Sequence, residues 1–200
     1  YALTASEIGR YCAATSLTWN MHVCSCLWSG ALADDLEMDS DTRAQHHEVR
    51  AIHYRRIVEN GAIYSQPFSE GGSAAAGQTA FGTTALRSEK GWVVNGKKIF
   101  ASLAGNADYY GTLCTELQHA NDKLSRSNTL YLAIPAIAEG VRVVGDWDPL
   151  GMRGTVSRTL LFEDVFVPDG SQLLPAGVYF QAVSRWPHMF MTLTPAYMGL

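Results

Sequence analysis

The sequence predicts an α+β fold, with an N-terminal α-helical part, a middle antiparallel β-barrel-like domain and the start of a C-terminal helical domain. Proline is absent from the first 66 residues, and the first 60 contain only two glycines, Gly9 and Gly30. All seven prolines follow, together with short apolar runs separated by polar turns. Helix interiors exclude proline and glycine, whereas turns between strands use them. The predicted domains are therefore residues 1–61, 62–175 and 176–200.

Helix signals organise the N-terminal part. Thr4, followed three residues later by Glu7, fits a capping box. A helical run then extends to Leu32 and is expected to break near Thr15–Ser16. After an acidic loop, "DDLEMDSD", residues 42–61 predict a second long helix that ends at Gly61, where a left-handed backbone is favoured.

Strand signals dominate the middle part. "GWVVNGKKIF" (91–100) predicts a β-hairpin, because Asn95-Gly96 supplies the two positive-φ residues of a tight turn. Lys97 and Lys98 are then expected on its solvated surface. Four more segments, 109–117, 128–136, 141–148 and 158–169, read as strands and suggest a small barrel or sandwich. Residues 177–200 are expected to form a loop and then the opening of another helix.

Composition excludes some classes of function. The net charge is −4 with a pI of about 5.8, and no Lys/Arg cluster is dense enough to favour nucleic acid. No apolar run is long enough to span a bilayer. The four cysteines include no Cys-x-x-Cys pair, which favours buried, reduced thiols in a cytoplasmic protein. The chain opens at Tyr1 and stops at Leu200 inside an apolar run, so it is interpreted as part of a longer protein.

The histidines do not predict a metal site. His46, His47 and His53 lie on the second long helix, but their directions and spacing do not converge on one ion. A polar helix face is the favoured interpretation. His22 and His188 stand among apolar neighbours and are expected to be packed and hydrogen-bonded.

Two small-residue segments predict a ligand site. In "GGSAAAG" (71–77), Ser73 lacks the second glycine of a serine-esterase elbow, since Ala75 stands there. The favoured alternative is a loop whose backbone N–H groups approach a phosphate or a ring edge. The predicted hairpin ends in Phe100 and, two residues later, Ser102, which together could hold a flat ligand.

Four motifs in order resemble the middle domain of the acyl-CoA dehydrogenase family. They are "IYSQPFSEGGSAAAG" (63–77), "GWVVNGKKIFAS" (91–102), "LGMRG" (150–154) and "FEDVFVP" (162–168), and the last two match the family pattern almost letter for letter. The flanking helical parts extend the resemblance over the whole chain. The sequence departs from the family in two places: Phe100 replaces a tryptophan, and Pro67-Phe68-Ser69 replaces Thr-Glu-Pro.

The resemblance implies a bound FAD and a set of site residues. Phe100 is expected to pack on the isoalloxazine ring, Ser102 to hydrogen-bond it, and Gln66 and Pro67 to lie in the loop along its polar edge. Gly72 and Ser73 are expected at the flavin phosphate, and Ser73 also at the acyl-thioester substrate. No catalytic residue is assigned, because the family's base, a carboxylate, lies beyond Leu200.

The implied reaction is oxidation of the α,β-bond of an acyl-CoA, with the hydride passing to flavin. The implied assembly is a homodimer or homotetramer that passes electrons to an acceptor protein or to oxygen. Two alternatives remain open: a monooxygenase on the same fold that uses reduced flavin, and a non-catalytic flavin-fold scaffold. "GMRGTVSRT" (151–159) fits either enzyme.

Overall fold

The computed structural model describes residues 1–72, 74, 78–186 and 193–199. It is a mixed α+β fold in which helices flank one sheet. The helices are α1 (Ala2–Gly9), α2 (Ala13–Leu27), α3 (Ser40–Asn60), α4 (Tyr179–Arg185) and α5 (Thr194–Met198), with a π-helical turn at Trp28–Leu32. The strands are β1 (Tyr64–Ser65), β2 (Thr84–Ser88), β3 (Gly91–Ala101), β4 (Tyr109–Leu117), β5 (Thr129–Pro135), β6 (Val141–Val144), β7 (Arg158–Pro168) and β8 (Gln172–Leu174).

The start of the chain differs from the predicted capping and break. Tyr1 occupies the N-cap of α1 and makes no side-chain capping bond, so the predicted box of Thr4 and Glu7 does not form. The break falls between α1 and α2, four residues earlier than expected. It falls there because Cys12 is the N-cap of α2, its Sγ accepting from the backbone N–H of Thr15 at 3.4 Å. Cysteine is not a usual capping residue, so its capping role was not predicted.

The second long helix, α3, matches its prediction closely. Asp39 caps its first turn, with Oδ1 accepting from the Thr42 N–H at 2.8 Å. Gly61 ends it in the left-handed region, at φ 67°. Both ends are specified by residues that act locally, which is why the sequence predicts them well.

The eight strands form one sheet in the order β6-β7-β3-β2-β4-β5-β8, with β1 beside β4. Most neighbours are antiparallel, but β4 runs parallel to both β1 and β2. Within the described residues the path has two ends, at β6 and β8, and does not close. The barrel-like form therefore stays a prediction.

The predicted turn at Asn95-Gly96 is wrong. β3 runs unbroken through it, and the hairpin turn lies earlier, at Glu89-Lys90, where Ser88 pairs with Gly91. Asn95 sits at a bulge of β7, and its side chain accepts from the Asp164 N–H at 2.9 Å. Gly96 is required by close packing: a Cβ there would lie 2.7 Å from the Cα of Thr83.

Two large apolar clusters fill the fold on either side of the sheet. One joins helices to the sheet through Trp28, Tyr64, Tyr131 and Tyr179. The other, centred on Trp92 and Phe162, packs between strands. In the part of the chain that the structure describes, no helix is long and apolar enough to cross a membrane. The cysteines form no disulfide, and Cys12 is exposed rather than buried.

Candidate functional site

A cleft of about 480 Å³ lies where α2, the loop after β1, the end of β3 and the segment before β7 meet. This volume is within the range of about 300–1,000 Å³ that small-molecule sites occupy. None of the described side chains that line it is charged. The lining comprises Leu17, Met21, Trp28, Gln66, Phe68, Ser69, Phe100, Ser102, Trp147, Pro149, Gly151, Met152, Thr155, Ser157, Leu193 and Tyr197.

The end of β3 presents an aromatic ring to this cleft. Phe100 has φ 52°, a left-handed conformation that a bulky residue rarely adopts, and the residue is 64% exposed. The edge of one ring meets the face of the other between Phe100 and Trp147, with centroids 6.2 Å apart. An exposed ring held in a strained backbone is unusual for a purely structural residue. The two rings suit a flat aromatic ligand.

Three hydroxyl groups form a row along the same wall. Ser102 Oγ lies 2.8 Å from Ser157 Oγ, which lies 2.6 Å from Thr155 Oγ1. Thr155 Oγ1 in turn donates to the Met152 carbonyl at 2.9 Å. The backbone fixes the row, since Leu103 N–H donates to the Thr155 carbonyl at 2.9 Å. These hydroxyls are the polar groups that this wall offers to the edge of a bound ring.

The opposite wall comes from the loop after β1. Gln66, Phe68 and Ser69 line the cleft. The Ser69 carbonyl accepts from the backbone N–H of Ile99 on β3 at 2.8 Å. The loop is thus bonded directly to the strand that carries Phe100.

An ion pair links the next residue of the loop to the same strand. Glu70 Oε1 lies 2.6 Å from Lys98 Nζ, and Lys98 also donates to the Leu113 carbonyl at 2.6 Å. The Lys98 side chain is 0% exposed, so the prediction of a solvated lysine is wrong at this position, although Lys97 is exposed. The cause is long-range pairing: alternate residues of β3 point inward, and Glu70 supplies the opposing charge.

The Glu70 carboxylate is well satisfied. Its two oxygens accept from the backbone N–H groups of Gly82 at 2.7 Å and Thr83 at 2.9 Å. Burial alone would raise the pKa of this carboxyl, but the charge of Lys98 and these hydrogen bonds hold its pKa below the usual value. Glu70 is therefore an ionised group that ties three segments together.

The residues predicted for cofactor binding do not all meet at the cleft. Gln66, Phe100 and Ser102 line it. Pro67 is buried and does not belong to the lining, and Gly72 is exposed on the loop beyond it. Ser73 lies outside the described residues.

Of the residues that line the cleft, the sequence predicted only Gln66, Phe100 and Ser102, and those it missed include Trp147, Thr155 and Ser157. Thr155 and Ser157 lie within "GMRGTVSRT" (151–159), in which neither hydroxyl was assigned a role, and Trp147 precedes that stretch. A tryptophan just before a Pro-Leu-Gly turn was the available signal.

Two of the three histidines on α3 prove to be core residues rather than part of a polar face, whereas His47 is exposed. His46 and His53 are buried, and His53 Nδ1 lies 3.0 Å from the Tyr64 hydroxyl. Burial, and then the charge of Arg56, lowers the pKa of His53 to about 4. His22 accepts from the Tyr64 N–H at 3.1 Å, as a packed histidine should, and His188 lies outside the described residues. The described residues contain no group of His, Cys, Asp and Glu arranged for a metal ion.

Comparison with known proteins decides the family. A sequence model described as "Acyl-CoA dehydrogenase, middle domain" matches residues 68–165, which include the loop, β3 and the segment before β7 that form the cleft. Residues 68–165 belong to the acyl-CoA dehydrogenase family. This match confirms the resemblance recognised from the four motifs.

The proteins that this chain resembles differ in the activities that their names describe. A probable acyl-CoA dehydrogenase, YngJ, of Bacillus subtilis is 26% identical over 86% of the chain and 42% of its own length. The oxygenase component of an FADH(2)-dependent resorcinol hydroxylase of a Rhizobium strain is 36% identical over 39% of the chain and 18% of its own length. The chain thus spans less than half the length of these relatives.

One similar solved structure is that of TdsC from a Paenibacillus strain with FMN and indole. It is 25% identical, with a TM-score of 0.73, over 98% of the chain and 46% of TdsC. The proteins that the chain resembles thus include a probable dehydrogenase, an oxygenase component and a protein solved with FMN.

Proposed function

We propose that the chain binds the ring of a flavin in this cleft and forms part of a flavin-dependent oxidoreductase. The observation that carries the proposal is the exposed Phe100 ring beside the hydroxyl row of Ser102, Ser157 and Thr155, in the middle domain of this family. Apolar walls with a few polar groups are typical of a cofactor site. The described lining, aromatic and uncharged, fits the ring of a flavin.

The first candidate reaction is α,β-dehydrogenation of an acyl-CoA, with FAD as the cofactor. The flavin would accept the hydride from the β-carbon. Phe100 would pack on the ring and Ser102 would hydrogen-bond its edge, while Gln66 and Pro67 would shape the loop beside it. Gly72 and Ser73 would lie at the phosphate, with Ser73 also at the thioester. No carboxylate lines the described part of the cleft. The family resemblance places the base, a carboxylate, beyond Leu200.

The rest of this proposal follows the family resemblance. The three predicted domains, a cytoplasmic location, a role in fatty acid metabolism and a homodimer or homotetramer belong to it, as does electron transfer to an acceptor protein or oxygen. YngJ supports it, because that likeness extends over most of the chain.

The second candidate is oxygenation of an aromatic compound by reduced flavin. Two observations favour it: the described cleft lining is uncharged and rich in aromatic and thioether side chains, and TdsC with FMN and indole covers nearly the whole chain. A small aromatic substrate would pack against Trp147, Met21 and Leu17, and it would need no charged partner there.

The test is a pair of reactions on the full-length protein. For dehydrogenation, a panel of acyl-CoAs is added without oxygen, and loss of the absorbance of oxidised flavin is expected. For oxygenation, reduced flavin and oxygen are supplied with a panel of aromatic compounds, and a hydroxylated product is expected. Bleaching by an acyl-CoA supports the first candidate, and product without bleaching supports the second. If the full-length protein binds flavin in neither redox state, both candidate reactions are overturned and the non-catalytic scaffold remains.

A further inference from the structure

Glu70 and Lys98 form a buried ion pair that has no part in the chemistry proposed for the cleft. Among the described ion pairs, it is the one in which the cation is completely buried. Lys98 is not part of the cleft lining, and neither is Glu70. A buried pair of this kind is often no more stabilising than an apolar pair of the same size. Stability alone therefore gives a weak reason for it.

The position of the pair suggests another reason. Glu70 directly follows Ser69, and Lys98 precedes Ile99, so the ion pair stands beside the backbone bond from Ile99 N–H to the Ser69 carbonyl. Phe100 follows on the same strand and Ser102 directly after its end, and Gln66 and Phe68 precede on the same loop. The two walls of the cleft are thus joined here, and they are joined again where the Ser65 hydroxyl donates to the Ser102 carbonyl.

Further contacts hold both residues of the ion pair against the sheet. Lys98 donates to the Leu113 carbonyl of β4, and its ammonium lies 4.7 Å from the centre of the Phe81 ring. Glu70 accepts from the Gly82 and Thr83 N–H groups at the entry to β2. One ion pair therefore fixes the loop relative to three neighbouring strands of the sheet.

We propose that Glu70 and Lys98 are positioning residues for the flavin site, forming a clasp that holds residues 66–70 at the correct distance from the end of β3. The proposal rests on the proposed function. It adds that flavin affinity depends on the pair beyond what the pair contributes to stability. Neither side chain touches the ligand in this role.

The experiment separates affinity from stability in the full-length protein. Glu70→Gln and Lys98→Met each leave one buried group without its partner, so both should lower the thermal midpoint and weaken flavin binding. The double variant Glu70→Gln/Lys98→Met removes the uncompensated charge. We expect it to recover most of the thermal midpoint, while its dissociation constant for flavin stays at least tenfold above that of the wild type. Flavin fluorescence quenching measures the affinity.

The matched control is Lys97→Met, the same substitution on the neighbouring lysine, which is exposed. It should leave both quantities near wild type. If the double variant regains both its thermal midpoint and its flavin affinity, the pair is merely structural and the proposal is wrong. It is equally wrong if the variants bind flavin as tightly as the wild type. If the wild type itself binds no flavin, the failure lies in the proposed function instead.

Discussion

Ser102 is one of the residues expected to touch the cofactor, and its surroundings make its role measurable. The residue is 7% exposed, and its hydroxyl already has a partner in Ser157. The hydroxyl oxygen can still make a second bond, toward the cleft, because a hydroxyl offers one donor and two acceptor sites. Ser102 can therefore serve the row and a ligand at once.

Ser102→Ala should weaken flavin binding about fivefold, since the net value of one hydrogen bond is about 1 kcal/mol. Titration of the full-length protein with flavin measures the change. The matched variant is Ser102→Thr, which keeps the hydroxyl and should retain most of the affinity. Equal affinity in the wild type and Ser102→Ala would remove this residue from the site.

At the scale of single elements, β3 shows where local signals fail. Asn-Gly is a strong hairpin signal, yet Asn95 bonds to Asp164, 69 residues away in sequence, and the strand continues. Gly96 is kept by its contact with Thr83 rather than by a turn. A pattern of neighbouring residues could not reveal partners that only the folded sheet brings close.

Gly96→Ala should be strongly destabilising. Its φ of 153° lies in the region that side chains rarely adopt, and the new Cβ would meet the Thr83 backbone at 2.7 Å. Backbone strain and a clash that cannot relax together should cost about 2–4 kcal/mol of the free energy of unfolding. Urea denaturation measures it.

The control for that variant is Gly72→Ala, where a Cβ meets no atom within 4 Å and φ is ordinary. It should leave stability unchanged. A Gly96→Ala protein as stable as this control would show that β3 can shift to make room.

The contrast between local signals and partners distant in sequence also explains which parts of the site the sequence could predict. Gln66, Phe100 and Ser102 were predicted because each lies within a motif of the family, and all three line the cleft. Lys98 was misjudged because its partner, Glu70, is 28 residues earlier and nothing local marks the pair as buried. Helix α3 and its ends were predicted well because Asp39 and Gly61 act on adjacent backbone.

The whole molecule contains several ionisable groups whose burial couples stability to pH. The folded pKa of His53 is about 4, whereas an unfolded histidine titrates near pH 6.5. Between those values the unfolded chain binds more protons, so stability rises with pH and falls on acidification. Burial also lowers the pKa of His22 and of His46. The lowered pKa of Glu70 acts in the same direction, but below the usual carboxyl pKa.

We therefore expect the free energy of unfolding to decrease from pH 7 to pH 4.5. The contribution of His53 approaches about 1.4 kcal/mol per pH unit within its window. His53→Gln should flatten this part of the profile, measured by urea denaturation at a series of pH values. His47→Gln, on the exposed side of the same helix, is the control and should follow the wild-type slope. A profile that is flat in the wild type would contradict the buried, neutral state of His53.

The pairing of β3 with β7 determines when the cleft can exist during synthesis and folding. Gly91 pairs with Pro168, and Ala101 with Arg158, so strands separated by more than fifty residues must meet before Ser102 finds Ser157. Closing such a long stretch of chain is slow compared with forming α2 or α3. A nascent chain released only as far as β6 would have the loop and Phe100 but not Thr155 and Ser157, the two members of the hydroxyl row that directly precede β7. A ligand that bonds to either of these hydroxyls can therefore bind only after β7 has docked, and it would stabilise the finished sheet without guiding its assembly.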